Sequence, residues 1–178
     1  MTNLERLLSQ YAAYHLDRNN IVTHFVGIPL IVFSILCLSA RAAVDISGFS
    51  VTLAMVLIVL SNVYYLSLDK LFGILMLILF VLVYPLAIKI AELSMWSWLG
   101  TSIAIFVVGW VFQFIGHYFE KKKPAFVDDL IGLAIGPLFV LAEFVFLLGF
   151  RKSLHQRILK EAQMKRAEMD MKIGRAHV

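Results

Sequence analysis

A chain of 178 residues that is 61% hydrophobic and 16% charged falls outside the range of soluble domains, which carry about 45–50% apolar and about 25% charged residues. With a mean hydropathy of +0.85 and its apolar residues gathered in long runs, this is an integral membrane protein. The net charge of +4 comes without aromatics interleaved among the basic residues, as nucleic-acid binding would need, so membrane lipid is the expected partner and nucleic acid is not. The length allows one transmembrane catalytic domain over residues 1–150 and a basic tail over 151–178.

In chain order, residues 3–17 read as an amphipathic helix. Asn3 is its expected N-cap. Leu4, Leu7, Leu8, Tyr11 and His15 share one face by i, i+3, i+4 stepping, and Glu5, Arg6, Ser9, Gln10 and Asp17 share the other. Five apolar segments follow, near 21–40, 50–68, 71–91, 97–119 and 130–150, each close to the roughly 20 residues that cross a bilayer. The single cysteine, Cys37, sits in the first and reads as a buried hydrophobe. Ala40-Arg41-Ala42 has the form of a signal-peptide cleavage site, but the polar stretch before the segment is too long for that reading. Only Asp69-Lys70 separates the second and third segments, which predicts a tight antiparallel hairpin. Asp45 and Asp69 read as turn residues, and Asp128-Asp129 as a helix start. Trp96, Trp98 and Tyr118 flank the fourth segment as interfacial aromatics do. The tail predicts a solvated basic helix with Leu154, Ile158 and Ala162 on one side, lying against anionic headgroups, with His155 and His177 in water.

Charge sets the orientation. The tail and Lys121-Lys122-Lys123 are both strongly basic, which predicts that both are cytoplasmic. Five full crossings would put them on opposite sides. The fifth segment contains Gly132, Gly136, Pro137 and Glu143, so it is expected as a re-entrant hairpin or a shallow helical segment. The predicted fold is therefore an all-α, multi-pass transmembrane helix bundle with four crossings plus that fifth segment, both termini cytoplasmic.

Four crossings bring His15, His24 and His117 to one membrane face. Imidazole at the edge of lipid is costly and marks a functional site. His15 and His24 are nine residues apart, about 180° on one helix, so they converge only if the chain breaks between them, and Asp17-Arg18-Asn19-Asn20 is the expected break. Asn20 would cap the membrane helix and bond a ligand histidine. Gly27 would let a neighbouring helix approach closely. On the fourth segment Gly109, Gln113, Gly116, His117 and Glu120 form one small and polar stripe. The expected metal ligands are His15, His24, His117 and Glu120, with Asn20, Gln113 and Glu143 supporting them from behind. Imidazoles with at most one carboxylate suit Fe²⁺ and equally Zn²⁺.

At these residues the chain resembles the small multi-pass 2-hydroxy fatty acid dioxygenases of fatty-acid α-oxidation and phytosphingosine breakdown. The pattern is Tyr14-His15, Asn20, His24, Gly27 and Pro29, then Gln113-Phe114-Ile115-Gly116-His117-Tyr118-Phe119-Glu120, Pro124-Ala125, and Pro137 through Glu143. It covers roughly residues 1–151. The resemblance implies an Fe²⁺-dependent enzyme that uses O₂ to convert a 2-hydroxy fatty acid to a fatty acid one carbon shorter. It implies His15, His24 and His117 as the catalytic, metal-binding residues, in a cell inner membrane if bacterial and an ER membrane if eukaryotic. A zinc-dependent membrane lipid hydrolase with Glu120 as base, and a non-enzymatic scaffold or transporter, are the competing expectations. The H-x-x-H-H clusters of membrane desaturases are absent.

Overall fold

The computed structural model describes residues 1–176; His177, expected in the solvated tail, lies outside them. The described residues form seven α-helices and one β-hairpin. They divide into two compact units, one made of 1–24 and 115–176, the other of 25–114. Helices α2 (Arg18–Ala40) and α5 (Met95–Glu120) contribute to both.

The first unit begins with α1 (Asn3–Ala12). Its N-cap is Thr2, one residue before the expected Asn3. The Thr2 hydroxyl accepts from the Glu5 amide at 3.2 Å while the Glu5 carboxylate accepts from the Thr2 amide at 2.9 Å. This reciprocal pair satisfies two donors that a new helix would otherwise leave bare. The helix stops at Ala12, short of the expected residue 17, so His15 follows it on a connecting segment. Leu4, Leu7, Leu8 and Tyr11 are buried as the stripe predicts. Glu5 and Ser9, expected in water, are buried as well, because α7 (Lys152–Ala176) packs along that face. Leu154, Ile158 and Ala162 are buried in that packing, and Arg157 donates to Glu5 at 2.7 Å. The tail thus spends its apolar side on α1 and not on lipid. His155, expected in water, stacks on Phe146 with ring centroids 4.5 Å apart.

The fifth apolar segment is α6 (Ile131–Leu147), one continuous helix through Pro137. It does not double back as a re-entrant hairpin. Proline removes a single backbone bond, and the burial of Ile135, Leu138, Phe139, Ala142 and Phe146 offsets that loss.

The second unit carries two chain reversals. After α2, β1 (Ala43–Ile46) pairs antiparallel with β2 (Phe49–Thr52). Ser47 and Gly48 turn between them with φ of 52° and 84°, the signs a two-residue hairpin needs. Asp45, expected in the turn, lies in β1 opposite Ser50, because the turn falls where glycine accepts positive φ. Helix α3 (Leu53–Leu68) meets α4 (Lys70–Ala91) through Asp69 alone, which ends one and caps the other by accepting from the Phe72 amide at 3.0 Å. The expected hairpin is tight: Asn62 donates to the Gly73 carbonyl at 3.1 Å, and a Cβ on Gly73 would lie 2.7 Å from Leu66 Cα. Gly27 and Gly109 let α2 and α5 touch backbone to backbone, since a Cβ on either would come within 2.9 Å of the other's carbonyl oxygen. Arg41, in the cleavage-like triplet, donates to the Ala91 and Leu93 carbonyls at 3.2 and 2.8 Å.

Three helices, α2, α4 and α5, are long and apolar enough to cross a membrane; α3 and α6, at 16 and 17 residues, are shorter. Val59, Leu60, Val63, Val81 and Leu82 face outward from α3 and α4, the surface hydrocarbon would cover.

Candidate metal centre

Residues 13–17 are what let the first two histidines meet. The Tyr14 and His15 amides bond back to the Tyr11 and Ala12 carbonyls, closing α1, and Asp17 Oδ1 accepts from the Asn19 and Asn20 amides at 2.8 and 3.2 Å, opening α2. The expected break exists but lies a few residues earlier. Asp17 is therefore the cap, and Asn20 sits inside the first turn.

Across this break His15 Nε2 comes within 3.0 Å of His24 Nε2. The His117 ring lies 4.9 and 5.1 Å from these two, centroid to centroid. Each imidazole offers a nitrogen within 4.8 Å of the others, and all three are buried. The structure thus brings together the three histidines singled out from sequence.

Their protons are constrained by the backbone. His15 Nδ1 lies 2.7 Å from the Tyr11 carbonyl and His24 Nδ1 lies 2.9 Å from the Asn20 carbonyl, each four residues back. A carbonyl only accepts, so each ring carries its proton on Nδ1 and donates it there. The two Nε2 atoms then face each other as lone pairs. Burial, followed by repulsion from His24, holds the His15 imidazole well below its ordinary pKa, so a second proton does not relieve this. His117 Nδ1 is buried and makes no well-formed hydrogen bond. Facing lone pairs and a third buried imidazole suit a cation. Two Nε2 atoms 3.0 Å apart could both lie at about 2.1 Å from one ion. Backbone carbonyls that fix ring tautomer and direction are the usual support of metal-bound histidine.

Neighbours complete the walls. Tyr11 stacks on His15 at 4.1 Å with the rings 4° from parallel, and Phe139 lies 5.6 Å from it. A Cβ on Gly116 would collide with Thr23 Oγ1 and Asn20 Oδ1 and fall 3.2 Å from His24 Nδ1. Glycine is what lets α5 close on the start of α2 here.

Glu120 is engaged elsewhere. Its Oε2 accepts from the Asp17 amide at 2.8 Å and from Asn20 Nδ2 at 3.0 Å, and its Oε1 accepts from Arg166 at 2.6 Å. It is outside the histidine cluster. Asn20 also donates to the Tyr14 carbonyl at 3.3 Å, and its Oδ1 is buried without a partner. Gln113 belongs to the other unit, where a Cβ on Gly27 would lie 2.8 Å from its Oε1. Glu143 is half-buried on α6, outside the cluster.

Three further residues, Arg166, Tyr14 and Tyr11, make contacts that local sequence does not show. Arg166 reaches Glu120 from α7. Tyr14 donates to Asp128 at 2.5 Å, and Asp128 pairs with Lys123; Asp128 does not start a helix as expected, since α6 begins at Ile131, whose amide donates to Asp129. Burial first, and Asp128 second, push the Tyr14 phenol up to about 12. Tyr11 was visible only as an apolar-stripe residue, although its place four residues before His15 matches that of Asn20 before His24. Beyond the centre, His117, Tyr118, Phe119 and Lys121 through Lys123 line an open concavity.

The family described as 2-hydroxy-palmitic acid dioxygenase Mpo1-like matches residues 1–148. The 2-hydroxy-palmitic acid dioxygenase MPO1 of Saccharomyces cerevisiae is 31% identical over 173 residues, covering 96% of each chain. No solved structure matches.

Proposed function

Because the chain belongs to the 2-hydroxy-palmitic acid dioxygenase Mpo1-like family, we propose that it is an Fe²⁺-dependent dioxygenase shortening 2-hydroxy fatty acids by one carbon. The observation that carries the reading is the buried three-histidine cluster with two Nε2 lone pairs turned inward. His15, His24 and His117 would hold the metal. Bound Fe²⁺ would supply open positions where O₂ and the 2-hydroxy acid are brought together.

The balance needs no further reductant. R–CHOH–COOH plus O₂ gives R–COOH, CO₂ and H₂O: the C1–C2 bond breaks, the two carbons lose four electrons, and O₂ takes them. The protein's own part is positioning. The Tyr11 and Asn20 carbonyls hold two imidazoles in their metal-binding tautomer. Tyr11 and Phe139 give an apolar wall. Asn20 Oδ1 is a free acceptor for the substrate hydroxyl, and Lys121, at the rim of the concavity beside His117, attracts the carboxylate. Glu120 acts as a hub that fixes the start of α2, not as a metal ligand; Gln113 packs beside Gly27 where α2 and α5 meet, and Glu143 lies on α6 outside the cluster.

The protein would sit in the membrane by α2, α3, α4 and α5, with N-terminus, lysine loop and tail on the cytoplasmic side. These three segments belong to one compact unit, which supports that reading. Cysteines at Lys121 and Lys160 in a Cys37→Ser background should both be labelled from the cytoplasmic side; labelling from opposite sides would refute it.

The function is tested by oxygen uptake and product analysis with 2-hydroxypalmitate, with and without Fe²⁺. Iron-dependent uptake with a 15-carbon acid as product is expected, one carbon fewer by the balance above. Bound zinc, no uptake and lipid hydrolysis would replace the dioxygenase with a hydrolase.

A further inference from the structure

Arg166 lies beyond residue 148, where the family match ends, on a helix whose composition suggested only a lipid-facing tail. Its guanidinium is turned inward. Nη1 donates to the Ala13 carbonyl at 2.9 Å and to Glu120 Oε1 at 2.6 Å, and Nη2 donates to the Glu120 carbonyl at 3.3 Å. Asp170 lies 3.8 Å from its Nε. The Glu120 side chain is 2% exposed and that of Arg166 18%. A carboxylate so deeply buried is stable only while its bonds are complete.

These contacts converge on the segments that carry the three histidines. Ala13 precedes His15 by two residues. Glu120 follows His117 by three, and its backbone carbonyl is itself held. Through Oε2, Glu120 grips the Asp17 amide and the Asn20 side chain, and the Asn20 carbonyl orients His24. One guanidinium thus joins the ends of α1 and α5 directly and the start of α2 through one carboxylate. We propose that Arg166 is a positioning residue for the histidine centre, so that α7 is part of the metal-binding apparatus. The proposal rests on the metal-site reading above.

The same helix supplies a control. Arg157 donates to Glu5 at 2.7 Å across the α1–α7 contact and touches nothing at the histidines. The test is Co²⁺ titration of full-length, detergent-solubilised protein, read by visible absorption, for wild type, Arg166→Ala, Arg166→Lys and Arg157→Ala. Arg166→Ala should weaken Co²⁺ binding about 10-fold or more, the scale for groups that orient metal ligands, and alter the ligand-field bands. Arg166→Lys should restore part of the loss, and Arg157→Ala should match wild type in affinity and spectrum. If Arg166→Ala does not fold, Arg166→Gln carries the same expectation. Wild-type affinity and spectrum in the Arg166 variants would overturn the proposal, as would an equal loss in Arg157→Ala. Failure of wild type to bind Co²⁺ would overturn both the proposal and the metal site. Altered Co²⁺ binding in Arg166→Ala, alongside an iron-loaded wild type that consumes no O₂, would uphold Arg166 and retire only the dioxygenase.

Discussion

The two units differ in how closely their buried polar groups are linked to one another. In residues 25–114 Asn62 and Thr52 each make one bond across segments, to the Gly73 carbonyl and to Tyr84, while Ser34 and Ser39 bond back to their own helix, to the Ile31 carbonyl at 2.7 Å and the Ile35 carbonyl at 2.6 Å. These serine bonds satisfy the group and add nothing between segments. In the other unit, several buried groups bond across the chain and share partners: Glu120 with Asn20 and Asp17, and Arg166 with Glu120 and Ala13. Buried polar groups joined in a network cost more to lose one by one, because each loss strands its partner. The contrast separates a unit with a largely apolar surface from one whose buried polar groups are held in fixed relation.

The largest expected break in this contrast is loss of a histidine. His117→Ala should reduce metal affinity and turnover by more than about 100-fold, beyond the range for supporting groups, as read by metal content and oxygen uptake. Retained metal in that variant would mean the ligands are elsewhere. A matched glycine pair sharpens the comparison. Gly116→Ala and Gly27→Ala each drive a methyl into a neighbouring helix, at a cost of about 1–3 kcal/mol of stability, measurable by thermal unfolding in detergent. Only Gly116→Ala, which strikes Asn20 and Thr23, should also lower metal affinity. An equal loss in Gly27→Ala would erase the functional distinction between the units. Lys121→Gln should raise KM several-fold with kcat nearly unchanged.

The smallest effect concerns pH. The Thr2 amide and then Arg157 hold the Glu5 carboxyl below its ordinary 4.5. A lowered folded-state pKa means that this stabilisation is complete above about pH 4.5 and is lost as pH falls through the folded value. Glu5→Gln should therefore flatten the acid limb of the stability profile below about pH 4.5 and leave its neutral region almost unchanged. An unchanged acid limb would show that the capping contact carries no weight.

Much of this was legible in local pattern. Apolar runs located α2 through α6 within a few residues, because a long apolar run bounded by polar residues marks a helix by length and hydropathy alone. The stepping of His117 and Glu120, and the impossibility of His15 and His24 sharing a helical face, pointed to one cluster. What was not legible depends on partners distant in sequence. Glu5 and Ser9 look solvent-facing until α7 covers them. Glu120 looks like a ligand by its place beside His117, yet its oxygens go to Arg166, Asp17 and Asn20. The Ser47-Gly48 hairpin was hidden because its strands are four residues long and β2 merges with the apolar run that follows.

The central claim is that the three imidazoles hold the iron of an oxygen-consuming centre. Its most direct test is the iron bound per chain after anaerobic purification and Fe²⁺ loading, in wild type and in His15→Ala, His24→Ala and His117→Ala. The account predicts about one iron per wild-type chain, as one three-histidine site allows, and almost none in each variant. Iron retained in any of the three, or a wild type that takes up zinc and excludes iron, would contradict it.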